Sequence, residues 1–592
     1  MKIVYYIVVF LFISCSAFSQ QTPFEKSNGR ESATYFQAIE FYKNLDKASS
    51  KILMKEMGPT DAGYPLNLVL VSNDGKFDPE AWHKQNKVVI LINNGIHPGE
   101  PDGIDASMML VRDIIYPKKK TAIEGAHHGP LINEFNLPDN VVLTIIPVYN
   151  IGGSLNRNSY SRANQNGPLE YGFRGNSQNL DLNRDFTKND SKESRSFVQV
   201  FHYLNPDILI DNHVSDGADY QYTMTMLTTQ YDKLGADLGY WLKEKFEPEL
   251  YKSMKKKGWE MTPYVNFETA IPDSGMLQFY DPPRYSSGYA ALFQTIGFVP
   301  ETHMLKPFAD RVRSTFAFMQ TVIEESAIKG NELIAARKKA QAEITKEKNF
   351  PLSWQSDSSK YSTITFKGYD QAFKTSDATG LQRMYYDHKK PFTKQVKFFD
   401  VFIPKNFVTK PEAYIIPQGW WAVIDLLKLN KVQMLQLKRD TTIEVEAYHF
   451  DDYRSSPRPY EKHHRNTDVK VSASKQKVKF LKGDYIIPMN QAANRYIVEM
   501  LEPTGDDSFF SWNFFDAILQ QKEGYSDYRW EDVAAEVLKN NPDLKQKLEA
   551  KKKSDSKYAK DASAQLNFIY KNSPYSEPGL LRYPVYRLIG NK

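Results

Sequence analysis

The sequence predicts an α/β domain, a mostly parallel mixed sheet with helices on both faces, followed by a β-rich accessory region. Three observations carry that expectation. Short, nearly continuous apolar runs recur between residues 34 and 345 and end in turn-forming residues, the pattern of strands buried on both faces. Stretches with apolar residues at helical spacing alternate with them, as in βα units. Beyond residue 366 the pattern shifts towards polar–apolar alternation, which marks half-buried strands.

The chain begins with Met1-Lys2, a short basic start, then an apolar run from Ile3 to Ile13, then small and polar residues to Gln20. This is the layout of a secretory signal peptide, too short for a stable membrane span. Ala17-Phe18-Ser19 fits cleavage near Ser19 or Gln20, so the mature chain is expected to be secreted or periplasmic. Cys15 is the only cysteine. Cleavage after it leaves no thiol, which excludes disulfides, cysteine nucleophiles and Cys-ligated metals. Lipid attachment at Cys15 is the lesser alternative, because Phe12-Ile13-Ser14 makes a poor lipobox. No later stretch is long and apolar enough to span a membrane.

A length of 592 residues calls for two or three domains. The expected division is a signal peptide at 1–20, an α/β domain at 21–348, a linker at 349–365 and an accessory region at 366–592. In the α/β domain, Lys87-Val88-Val89-Ile90-Leu91-Ile92 reads as a buried strand stopped by Asn93-Asn94-Gly95. Asp105 to Ile115 follows with helical spacing. Val141 to Ile146 is a second strand, Asp207 to Asp211 a third, and Phe298-Val299-Pro300 ends a fourth. Arg311 to about Lys348 is helical and closes the domain. In the accessory region, Val396 to Ile403, Thr442 to Tyr448 and Lys477 to Phe480 read as strands, with a helical tail beyond Ser511. Trp420-Trp421 fits either core or a binding surface. The net charge of +5 is small and interleaved, which argues against a nucleic-acid partner.

Each candidate ligand follows a predicted strand. His97 and Glu100, three positions apart across a tight turn, can point at one ion, and His213 emerges after the Asp207-to-Asp211 strand. Open α/β sheets place their sites beyond the carboxyl ends of strands. Two His and one Glu form a catalytic zinc set that leaves a position open for water. His-x-x-Glu alone is weak, but Arg174-Gly175-Asn176, Leu180-Asp181-Leu182-Asn183-Arg184-Asp185, Asp211-Asn212-His213 and Glu301-Thr302-His303 follow in order. His127-His128 and His463-His464 lie in polar sequence without a matching carboxylate and read as solvated loops.

This series resembles the zinc carboxypeptidases, the funnelin metallopeptidases, over roughly residues 34 to 345. The short step from Arg174 to Asn183 resembles the regulatory branch of that family. The resemblance implies one zinc ion held by His97, Glu100 and His213, with Asp181 orienting a ligating imidazole. It implies Arg174 as the oxyanion-stabilising arginine, and Asn183 with Arg184 as the grip on the substrate's terminal carboxylate. Glu301 becomes the general base. Among Tyr280, Tyr285 and Tyr289, it is Tyr285, in a Pro-, Ser- and Gly-flanked segment, that is matched to the tyrosine that covers substrate. The expected reaction is hydrolysis of an amide bond next to a free carboxylate, on a peptide or peptide-like substrate. Two rivals stay open: a zinc amidohydrolase or deacylase acting on cell-wall peptides or N-acyl amino acids, and a non-catalytic binding protein on a peptidase scaffold.

Overall fold

The computed structural model describes residues 21–117, 135–267 and 272–590. The signal-peptide segment with Cys15, and His127-His128, lie outside the described residues.

The first sheet is built from β1 (Ile52–Pro59), β2 (Pro65–Val71), β3 (Val88–Asn93), β4 (Val141–Ile146), β5 (Ile208–Asp211), β6 (His213–Ser215), β7 (Met224–Thr228) and β8 (Met261–Pro263). β9 (Met276–Leu277) lies outside it, and β10 (Ile296–His303) completes it. The order is β1-β2-β4-β3-β5-β10-β7-β8, with β6 alongside β10. The centre, β4-β3-β5-β10, is parallel, and the β1, β2 and β7 pairings that flank it are antiparallel. Strands β3 and β4 are buried along their whole length. Alternate residues serve opposite faces: Val88, Ile90 and Ile92 pack in one core and Val89 and Leu91 in the other. The helices Asp102–Ile115 and Phe308–Lys346 cover the first face. Lys192–Leu204 and Ser286–Ala291 cover the second. The mixed sheet with helices on both faces is as the sequence predicts.

The C-terminal half begins without a break. Residues 349–365, expected to be a linker, instead hold β11 (Asn349–Ser356), whose Phe350 and Leu352 are buried, and the start of β12 (Ser362–Thr375). The run expected as one strand at Val396 to Ile403 is interrupted at Asp400-Val401, between β13 (Gln382–Phe399) and β14 (Phe402–Thr409). Then follow β15 (Ala413–Ile416), β16 (Leu435–Gln436), β17 (Thr441–Ser455), β18 (Asn466–Phe480) and β19 (Tyr485–Pro488). Helices Asp527–Asn540, Pro542–Ser554 and Ala562–Lys571 form the tail, but the chain then returns as β20 (Tyr586–Leu588) between β15 and β17. Trp420 packs on Phe515 with ring centroids 5.0 Å apart, while Trp421 is exposed.

The two halves share one apolar core, in which Phe201 and Tyr289 of the first pack together with Leu352, Tyr414 and Tyr496 of the second. A second seam joins β9 to β13, and the Tyr222 hydroxyl donates to the Thr365 carbonyl at 3.0 Å. Among the described residues no helix is long and apolar enough to cross a membrane.

Candidate active site

The carboxyl ends of the parallel strands converge on one polar rim. β3 ends at Asn93 and the chain turns through Gly95, at φ +64°, into His97 and Glu100. β5 ends at Asp211, and after Asn212 the chain resumes as β6, which begins at His213. In the parallel pairing of β6 with β10, Glu301 is the register partner of His213. Alternation and register thus bring residues 97, 100, 213 and 301 together.

Beneath them runs an amide network. Asn212 Nδ2 donates to Asn94 Oδ1 at 2.8 Å, and Asn94 Nδ2 donates to Ser107 Oγ at 2.9 Å. The helix Asp102–Ile115 approaches this network through Gly103, where a Cβ would come within 2.5 Å of the Asn212 Cβ and press on Asn94.

The ligand atoms of His97, Glu100 and His213 lie within 4.8 Å of one another, and all three residues are buried. His97 Nε2 is 2.9 Å from Asp181 Oδ1, and His213 Nε2 is 3.1 Å from Asp211 Oδ2. A carboxylate only accepts, so each Nε2 donates to its aspartate, and each Nδ1 faces Glu100. His97 Nδ1 is 3.2 Å from Glu100 Oε1 yet makes no hydrogen bond among the described residues. His213 Nδ1 is 3.2 Å from Glu100 Oε2. Burial alone would push the His213 pKa down, but Asp211 and Glu100 outweigh it and hold it well above its ordinary value. Burial would likewise raise Glu100, yet Arg162, His97 and His213 hold it well below the usual carboxylate range. The raised His213 pKa marks the point where both Nδ1 atoms meet the carboxylate as one that favours positive charge. A divalent cation fits there: two neutral imidazoles and one carboxylate, with outer carboxylates fixing the tautomers.

The remaining residues surround one cavity of about 360 Å³ lined by His97, Glu100, Arg174, Asn183, Arg184, His213, Tyr285 and Glu301, among others. Arg174 Nη2 is 2.8 Å from Asp181 Oδ2 and Nη1 is 3.7 Å from Glu100 Oε1. Burial would raise Asp181 too, but His97, Arg174 and Arg184 keep it strongly acidic. The Arg184 guanidinium lies over the Tyr285 ring, 4.4 Å from its centroid, and its Nη1 donates to the Asn183 carbonyl at 2.8 Å. Asn183 Oδ1 accepts from the Ser286 N–H at 3.4 Å, which ties the arginine segment to the tyrosine segment. Glu301 is partly exposed to the cavity; the loss of bulk water there pushes its pKa up to about 8, His213 opposing and Glu100 reinforcing the shift.

All nine residues singled out in the sequence therefore meet at one cavity or in direct contact with its lining. Tyr289 does not: it is buried, and its hydroxyl donates to Asn430 Oδ1 at 2.7 Å. Tyr280 is engaged elsewhere, with its hydroxyl 3.1 Å from Asp506.

Three participants were not read from the sequence. Asp211 backs His213 from two positions before it, a local spacing that could have suggested the pairing. Arg162 Nη1 donates to Glu100 Oε1 at 2.7 Å and Nη2 donates to the Val214 carbonyl at 3.1 Å; it sits in a polar loop with no periodic signal. His463, expected in a solvated loop, is largely buried, with Nε2 2.8 Å from Asp190.

The chain is similar to several known proteins. Residues 38–203 match the family model described as zinc carboxypeptidase. Carboxypeptidase 2 of Trichophyton rubrum is 21% identical over 504 residues, covering 82% of this chain and 85% of that protein. Carboxypeptidase 2 of Trichophyton tonsurans is 21% identical over 441 residues, covering 72% and 74%. A metallo-carboxypeptidase structure from Burkholderia cenocepacia has 15% identity and a TM-score of 0.35, over 50% of this chain and 69% of that one.

Proposed function

We propose that this chain, a hydrolase of the zinc carboxypeptidase type, removes C-terminal residues from peptides after secretion, with His97, Glu100 and His213 holding one zinc ion. The observation that carries the reading is the arrangement of three arginines, Arg162, Arg174 and Arg184, and one raised-pKa carboxylate around a buried His-Glu-His cluster in a single cavity.

The zinc, when bound, supplies Lewis acidity that acidifies water and polarises a carbonyl. The chain's own residues do the rest. Arg184 and Asn183 bind the terminal carboxylate, a charge-assisted contact suited to the planar guanidinium fork. This sets the scissile amide over the His-Glu-His cluster. Glu301 accepts a proton from the attacking water and returns it to the leaving amine, so that water adds across the C–N bond. Arg174 faces the negative charge that develops on the former carbonyl oxygen, without changing its own protonation state. Tyr285 closes over the bound residue beside Arg184. Asp181 and Asp211 keep both imidazoles in one tautomer throughout. Secretion rests on the layout of residues 1–20 and is tested by the mature N-terminus: a start near residue 20 is expected, and a lipid on Cys15 would replace it.

The decisive measurement compares matched peptides with free and amidated C-termini. The unmodified enzyme should favour the free acid, and Arg184→Ala should narrow the gap by slowing the free acid about 10²-fold or more, as loss of a shielded charged pair does. Equal rates on both peptides would shift the assignment to an endopeptidase or a cell-wall amidase.

A further inference from the structure

The hairpin β17–β18 belongs to the C-terminal half, yet its tip, residues 456–465, reaches the residues that flank the site. Tyr460 Oη accepts from Arg184 Nε at 3.0 Å. Glu461 Oε2 accepts from the backbone N–H of Asp181 at 2.9 Å. Asp181 is the same residue whose side chain holds His97, and Arg184 is the carboxylate grip. His463 closes the contact on Asp190, 2.8 Å away.

The tip is built to hold this position. Tyr460 and His463 exchange backbone hydrogen bonds of 2.8 and 3.1 Å across a turn in which Glu461 and Lys462 take φ of 48° and 74°. Two successive side-chain-bearing residues in the left-handed region are unfavourable and persist where surrounding contacts over-determine them. Those contacts are present: the Trp512 ring stacks on Tyr460 at 19° with centroids 6.2 Å apart, and the Arg465 guanidinium lies 4.6 Å from the same ring. Burial does not explain the placement, because Tyr460 stays 38% exposed. What it gains is a directed hydrogen bond to one arginine.

We propose that Tyr460 is a positioning residue for Arg184, and Glu461 for Asp181, so that recognition of the substrate carboxylate depends on the C-terminal half of the chain. This rests on the carboxypeptidase reading above. With Nε taken by Tyr460, Nη1 engaged by the Asn183 carbonyl and the guanidinium face set on Tyr285, the guanidinium plane is fixed from three sides. Nη2 makes no hydrogen bond among the described residues and is the atom left to meet a ligand. A guanidinium held this way loses little freedom on binding a carboxylate.

The test is steady-state kinetics of Tyr460→Phe, which keeps the ring on Trp512 and removes only the acceptor. On the free-acid peptide, kcat/KM should fall about tenfold, the scale of a hydrogen bond to a charged group, and the loss should appear in KM with kcat nearly unchanged. On the amidated peptide both parameters should stay as they were, and zinc content should stay at one ion per chain. Added to Arg184→Ala, the substitution should change nothing further. Glu461→Ala should weaken zinc retention and Glu461→Gln, whose amide oxygen accepts the same bond, should restore it. Equal losses on both peptides, or none, would overturn the positioning role while leaving the carboxypeptidase reading intact. That reading fails on a different arm, if the unmodified enzyme does not distinguish the two peptides.

Discussion

Glu301 is held at the cavity wall with a pKa pushed up to about 8 by the loss of bulk water. A bound divalent cation opposes that shift, because positive charge nearby favours the carboxylate. As the proposed general base, Glu301 must be ionised to act, so kcat/KM should rise with pH through a value below about 8 in the zinc-loaded protein. Glu301→Gln should bind zinc normally, lose that limb of the profile and lose roughly two to four orders of magnitude in kcat. A variant with near-normal turnover would show that another group takes the proton. At this scale the sequence was most informative where chemistry is local. His97 and Glu100 share a turn, and Asp181, Asn183 and Arg184 share another, so spacing alone brings them within reach of one ion or one substrate. Arg162 was silent because its contact with Glu100 spans 62 residues and its own surroundings are polar loop. Nothing in such a stretch separates a guanidinium that neutralises a buried carboxylate from one that faces water.

The helix Asp102–Ile115 shows how an element behind the site can govern it. Gly103 lets the helix backbone rest against Asn94 and Asn212, the residue next to His213. Gly103→Ala forces a methyl group into that network, and over-packing of this kind costs about 1–3 kcal/mol. The melting temperature should fall and zinc affinity should fall with it, because Asn212 carries the backbone into His213; unchanged zinc affinity in a destabilised variant would uncouple the two. The same helix buries Asp105, whose Oδ1 accepts from the Ala33 N–H at 3.0 Å and whose Oδ2 has no hydrogen-bond partner among the described residues. Burial raises its pKa to about 8, with Asp102 adding to the shift. A raised carboxyl pKa means that the folded chain keeps a proton that the unfolded chain releases above about pH 4. Stability is therefore lost as pH rises from about 4 to about 8. Asp105→Asn stays neutral throughout, and its stability relative to the parent should improve across that window by an amount on the order of a few kcal/mol. Thermal melts of both proteins at pH 5 and pH 8.5 measure it, and parallel shifts in the two would rule the buried proton out. The apolar spacing of this helix was legible, since its face meets the core. The buried Asp105 was not, because a carboxylate at the start of a helix is also what a solvated first turn carries.

The whole molecule divides less than its sequence suggests. The change from helical spacing to alternation near residue 366 marks a change in secondary structure, and it invites a boundary there. Periodicity reports which residues face a core, not which core they face. Here Tyr289 and Phe293 pack on Phe201 of their own half and also reach the other, where their partners are Asn430, at 2.7 Å from the Tyr289 hydroxyl, and Tyr496, stacked on Phe293 with centroids 5.4 Å apart. β13 meanwhile extends the short strand β9, and the β17–β18 tip reaches Asp181 and Arg184. Removing residues 349–592 would expose several large side chains, each contributing about 1.5–3 kcal/mol by its burial. A loss of that size is comparable with the entire stability of an ordinary domain, about 5–15 kcal/mol. Residues 21–348 expressed alone should therefore be insoluble or melt without cooperativity, and residues 21–592 should unfold in a transition that both halves share. Fluorescence of Trp82, in the first half, and Trp512, in the second, each isolated by replacing the other tryptophans with Phe, would report the two halves separately. Coincident midpoints are expected. A soluble 21–348 fragment with a sharp melt and full zinc binding would show that the catalytic half folds by itself and that the shared core adds stability without being required.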